Sequence, residues 1–416
     1  MPIARRILFR QFQVVLSALM LICVAARGDV VERRGTAPPL TGTVIAVDDN
    51  GVKIRSDATE HAVHFVPWDR VRSVQSEAAA AHNVHAYLKT AEKLWRARTR
   101  LERKDAQLAE PLFEQLFEQY RGKTHETALV VAEGLLRCRR QSGMNELAVI
   151  PALEVLRLRR AGVEIASYTS LRRTRPLFDD DSAISRALPP VWLSRRGMRK
   201  LQSDLAGYDA QGDKVVATVA SLYQHAVKQQ LTTGAPATQP DGQPEHNQEN
   251  EHPDEDGTDQ HKSNDAQNNA SPRIEVPVDR PELRFMRDLI YANASDQQMR
   301  KDARSRLLAA INDRPQWMQA WTHEAVGRSL ISENGLGRQQ RGVVHLLHLP
   351  ARYAPDQPYL AGLSLYRAVK WLEGAGHGEA VESLRDELIQ RYPNHPVHHL
   401  TELRTGETLA SSQSGG

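Results

Sequence analysis

The chain has 416 residues, 25% of them charged and 40% apolar, which is room for two or three domains and excludes wholesale disorder. Its formal net charge of +3 averages unlike segments. The first 28 residues hold four arginines and no acid, while residues 234–272 hold nine Asp or Glu against one Lys. The rest of the chain is therefore basic, at about +7. Only two cysteines occur, Cys23 and Cys138. Cys23 falls in a predicted export signal, so one thiol remains and no internal disulfide framework is expected.

In chain order, Arg5, Arg6 and Arg10 precede an apolar run over residues 14–26 and the small residues Ala26 and Gly28. This pattern predicts a signal peptide over residues 1–28, cleaved near Gly28, and an exported protein of the periplasm or cell envelope. The run is shorter than the roughly 20 residues that span a bilayer. Ile22 before Cys23 departs from the small residue that a lipid-anchor motif requires.

Residues 29–76 then read as short alternating strands. Asn50-Gly51 lies between β-branched runs and predicts a tight hairpin. Pro67 ends a later strand before Trp68 and Asp69. About five strands of this size make a small barrel, and Trp68 is the expected plug of its core.

From residue 82 the apolar period lengthens to three or four. Tyr87, Leu88, Ala91, Leu94, Trp95 and Leu101 share one helical face, and Leu108, Leu112, Leu116 and Tyr120 share the next. Helix pairs recurring in this way predict an array over residues 82–231, because neither helix of a pair can bury its stripe alone. Residues 232–272 are almost devoid of apolar side chains and are predicted to form a disordered acidic linker. A second helical array is predicted over residues 273–400, with a disordered tail at 401–416. The fold class expected is thus mostly α, with a small N-terminal β-barrel.

Two resemblances attach to these residues. Gly42, Val44, Val47, Asp48, Gly51, Val52, Ile54, Val66, Pro67, Trp68, Asp69 and Val71 resemble the hairpin and closure of SH3-like or Sm-like barrels at the front of exported bacterial proteins. Ala380, Leu384, Leu388, Tyr392 and Pro393 resemble the closing helix of tetratricopeptide repeats, although the full consensus register is absent. The second resemblance implies a concave surface that binds a protein or peptide partner.

Candidate chemistry is sparse. Asp179-Asp180-Asp181 lacks the glycine and distal Glu of a calcium loop and suits a helix N-terminus. His345 and His348 lack the H-E-x-x-H spacing of a zinc site and read as ordinary helix residues, like His395, His398 and His399. Cys138 lies among Arg137, Arg139 and Arg140, cations that would lower a thiol pKa, but it reads better as a buried helix residue. No nucleophile elbow, phosphate loop or dinucleotide fingerprint occurs, so no catalytic residue, cofactor or metal is expected. Arg96, Arg100, Arg103, Arg157, Arg160, Arg172, Arg173, Arg195 and Arg196 form basic runs that could face an anionic partner. Sparse aromatic interleaving argues against nucleic acid. The leading expectation is an exported, non-catalytic scaffold or adaptor for a protein or peptide. One alternative is a binder of anionic envelope polymer or membrane surface; another is an enzyme with an unrecognised site between the arrays.

Overall fold

A computed structural model describes residues 28–57, 62–76, 84–164, 183–233 and 274–399. The fold is mostly α-helical, with one small antiparallel sheet at the N-terminal end. Its residues divide into two compact units, Met1–Gly134 and Leu135–Gly416. Most of the predicted signal, residues 234–272 of the predicted linker, the tail, Arg172, Arg173 and Asp179–Asp181 lie outside the described residues.

In the first unit, β1 (Asp29–Arg33), β2 (Leu40–Val47), β3 (Gly51–Ser56), β4 (Val63–Pro67) and β5 (Val71–Gln75) form a sheet in the order β4-β3-β2-β1-β5. Alternation places Val44, Val52, Ile54, Val66 and Val71 on the buried face. The hairpin predicted at Asn50-Gly51 joins β2 to β3, with Val47 opposite Val52. Asp48 Oδ1 closes it by accepting the N–H groups of Asn50 at 2.7 Å and Gly51 at 3.2 Å.

Trp68 is fully buried and donates its indole N–H to the Asp48 carbonyl at 2.7 Å. Its ring stacks on Tyr87 with centroids 4.8 Å apart. Tyr87 lies on α1 (Val84–Glu102), whose Leu88 and Ala91 join the same apolar cluster. A sheet of this size has little core of its own and completes it with a helix face. Asp69, almost without solvent contact, receives the Arg98 guanidinium at 2.7 Å across the same junction. Then α2 (Ala106–Tyr120) begins where the Asp105 side chain accepts the Leu108 N–H, and α3 (Glu126–Gln141) follows.

The second unit continues through α4 (Asn145–Arg160), α5 (Arg195–Ala206), α6 (Lys214–Thr233), α7 (Pro281–Tyr291), α8 (Gln297–Ala309), α9 (Gln316–Ile331), α10 (Leu336–His348), α11 (Pro358–Gly374) and α12 (Gly378–Arg391). A π-helical turn, Leu349–Tyr353, follows α10, and a short 3-10 helix, Pro396–His399, follows α12. Most of these helices pack as successive hairpins, as amphipathic stripes at helical spacing require. Ser194 and Asp296 cap α5 and α8 through their side chains, and Pro281 and Pro358 open α7 and α11. Trp317, Trp321 and Phe285 form an aromatic cluster, with the two indole rings 5.0 Å apart.

Helices on both sides of residues 234–273 belong to this one unit. His225 on α6 meets Tyr291 on α7 edge to face. Farther along, Gln357 donates to the Arg186 carbonyl at 3.0 Å and Tyr359 to the Val191 carbonyl at 3.4 Å. The C-terminal helices thereby return to the segment that precedes α5. Among the described residues no helix is long and apolar enough to cross a membrane.

Candidate functional site

Where this return occurs, the second unit encloses an open cavity of about 310 Å³. Its walls are the end of α3 (Arg140), the start of α4 (Asn145), the start of α11 (Gln357 and Tyr359), the end of α12 (Arg391) and the stretch that follows it (His395). Each wall is fixed by local chemistry. α3 stops at Gly143, which has a φ of +72° and donates its N–H to the Arg140 carbonyl at 3.1 Å. A Cβ on Gly143 would lie 2.5 Å from the Pro396 ring, so this chain reversal needs glycine for conformation and for space. Arg139 and Arg140 occupy the last turn of α3, where the helix dipole favours cations.

Tyr359 lines the cavity at the start of α11. It donates to the Val191 carbonyl, and burial pushes its phenol far above the ordinary range, with Asn145 nearby opposing the shift. Its carbonyl accepts the His395 Nε2–H at 2.9 Å, while His395 Nδ1 accepts the Val397 N–H at 3.2 Å. These two bonds fix the His395 tautomer. Desolvation lowers its pKa to about 4, so the ring is neutral at ordinary pH. Gly362 leaves room for it, since a Cβ there would stand 2.6 Å from the ring.

Arg140 is the electrostatic peculiarity of the site. Desolvation, and then the charge of Arg137, lower its pKa to about 10. It remains a cation at neutral pH, yet it forms no ion pair among the described residues. Arg391 instead pairs with Glu387 at 2.5 Å, and Asp356 has a contact of its own.

Further buried polar groups act on Tyr359. Glu146 is buried and its carboxyl is pushed up by desolvation, opposed by the Ser194 hydroxyl. Gly197 gives that carboxyl its space. Glu324 on α9 is ion-paired with Arg367, and with Arg328 at 3.4 Å. Both acids and Arg367 act on Tyr359 electrostatically. These groups are paired or hydrogen-bonded inside the unit, in the manner of structural polar networks.

His323 on α9 meets His345 and His348 of α10 in a separate cluster, with ring centroids 5.2 and 4.5 Å away. The sequence offered only the α10 pair. Even so, among the described residues no group of three or more His, Cys, Asp or Glu is placed to hold a metal ion.

The arginines singled out by sequence are scattered in role. Arg96 is exposed and pairs with Glu92 at 2.8 Å; Arg100 donates to the Leu108 carbonyl; Arg103 is exposed. Arg157 is withdrawn from solvent, bound to Glu154 at 2.8 Å and Gln211 at 2.7 Å. Arg160 pairs with Asp213 at 2.6 Å, Arg195 donates to the Leu231 carbonyl, and Arg196 is exposed. Arg140 appeared in sequence only as a neighbour of Cys138. That thiol is fully buried, as expected, and the chemistry of the Arg137–Arg140 run lies in its last arginine. Neither Asn145 nor Tyr359 carried a local signal. No known family, curated protein or solved structure matches the chain.

Proposed function

We propose that this protein is an exported, non-catalytic adaptor that holds a protein or peptide partner in the cell envelope, with the cavity of the second unit as its anchor point. The observation that carries this reading is the cavity itself. Its volume of about 310 Å³ suits one anchoring side chain or chain end, the scale at which protein interfaces concentrate their binding energy. Its polar groups are arranged for recognition: Tyr359 is held by the Val191 carbonyl, His395 is neutral with both nitrogens engaged, and Arg140 presents a charge. A nucleophile needs an adjacent base with free hydrogen-bonding capacity, and His395 has none to offer.

A photo-cross-linker placed at Asn394, on the cavity wall, tests this in the native envelope. The expected result is a discrete partner that disappears when Ala187→Phe fills the cavity. Cross-links unchanged by the filled cavity would overturn the reading.

A further inference from the structure

We propose that the cavity is a receptor for a single carboxylate, carried by the end or an acidic side chain of an extended ligand, with Arg140 as the group that grips it. The inference rests on the binding role proposed above and adds the chemical class of what binds.

A guanidinium taken out of water without a counter-ion costs free energy, and folded proteins ordinarily compensate such a charge with a carboxylate. This chain does so elsewhere: Arg157 has Glu154, Arg367 has Glu324 and Arg98 has Asp69. Arg140, part-buried on a cavity wall, has no such partner among the described residues. The charge of Arg137, another cation, acts on it unfavourably. The position is therefore poised for an anion supplied from outside, since a planar guanidinium binds a carboxylate or phosphate through two parallel hydrogen bonds.

The charge of the lining selects between those anions. Two arginines and one aspartate line the cavity; Arg391 is matched by Glu387 and Asp356 has a contact of its own, which leaves Arg140 as the lining cation without an ion pair among the described residues. One unmatched positive charge balances a carboxylate and leaves a phosphate dianion half uncompensated. The amides of Asn145 and Gln357 offer further polar contacts, although Gln357 also donates to the Arg186 carbonyl. Pro358, Pro393 and Pro396 give the wall a stiff apolar part, which suits the stem of the acid.

The test uses the full chain and three small probes observed by ligand-detected NMR and calorimetry: an acetylated Gly-Ala-Ala peptide with a free C-terminus, the same peptide as its amide, and glutarate. Inorganic phosphate serves as a fourth arm. The free-acid peptide is expected to bind at least about tenfold more tightly than the amide, one such step being a modest share of a charge-assisted pair. Binding of the peptide with weak binding of glutarate identifies a chain terminus as the source; equal binding identifies a free acid. Arg140→Met should abolish the preference for the acid while the melting temperature holds or rises, because an uncompensated charge has been removed. Arg140→Lys should recover only part of it. Acid and amide binding equally, phosphate binding best, or Arg140→Met lowering the melting temperature with affinity unchanged would each overturn the proposal. Equal binding of acid and amide, both blocked by Ala187→Phe, would reject the carboxylate and leave the adaptor reading standing. Cross-links indifferent to that filled cavity would remove the adaptor reading itself.

Discussion

The Nδ1 atoms of His323 and His345 lie 3.0 Å apart, so one ring must carry the proton and the other must accept it. The pair works only while at least one ring is neutral. Its surroundings enforce this: α10 brings His345 and His348, and the π-helical turn brings Arg352 and the Tyr353 ring. Desolvation, then His345, His348 and Arg352, lower the His323 pKa from 6.5 to about 3. His345 is lowered as well, by burial and then by His348.

The sign of the pH dependence follows. An unfolded His323 binds its proton near pH 6.5 and the folded one near pH 3, so the stability it contributes at neutral pH is lost as the pH falls through that interval. The loss should be at most about 5 kcal/mol. Circular dichroism against pH should therefore show an acid transition for the second unit. In the double variant His323→Phe/His345→Leu the midpoint should move down by about 0.5–1 pH unit. A midpoint that stays put would assign the acid sensitivity to other groups.

Glu146 carries the opposite sign. Burial raises its carboxyl, so the protonated form is favoured in the fold and stability falls as the pH rises through the raised value. Glu146→Gln keeps an acceptor for the Ser194 hydroxyl and removes the charge. At pH 7 it should stabilise the protein by about 0.5–2 kcal/mol, and the gain should vanish below the unfolded value near 4.5. Thermal melts at pH 7 and pH 4 check this, and equal gains at both would refute it.

What sequence reasoning reached was local. The Asn50-Gly51 hairpin, the burial of Trp68 and Cys138, and the helical stripes rest on spacings of two to four residues, and each is found in place. What it missed is built from distant pieces. His323 is 22 residues from His345, on the preceding helix, and no spacing within α10 discloses it. Tyr359 and Val191 are 168 residues apart, and the cavity lining runs from Arg140 to Pro396, so the site exists only after the chain has folded. Arg140 illustrates a different limit. The Arg137–Arg140 run looked unusual, but sequence cannot tell which of several cations finds a partner. Arg157 was read as part of a surface and lies in a buried ion pair, because a carboxylate three residues earlier on the same helix face draws it inward.

Trp68 should dominate the stability of the first unit. It is fully buried, stacked on Tyr87 and hydrogen-bonded to Asp48. Trp68→Ala should cost about 3–5 kcal/mol. Trp68→Phe should keep much of the stacking and lose about 1–2 kcal/mol with the indole N–H contact. Hydrogen exchange followed residue by residue should register the loss in α1 together with the sheet, since they share one core. Protection in α1 that survives Trp68→Ala would mean that the helix is held by something else.

Gly143 offers the most direct check on how the cavity wall is made. A φ of +72° is strained for any residue with a Cβ, and that Cβ would also press on Pro396 at 2.5 Å. The backbone part costs about 1 kcal/mol and the overlap roughly another 1–2. Gly143→Ala should therefore destabilise by about 2–3 kcal/mol. In Gly143→Ala/Pro396→Ala only the overlap is relieved, so a double-mutant cycle should return a coupling of about 1 kcal/mol or more. The same cycle read on carboxylate-peptide binding should show weaker binding in the single glycine variant and partial recovery in the double, because Pro396 and Arg140 face one cavity across this turn. Purely additive effects in both readouts would mean that the turn and the proline do not share that wall.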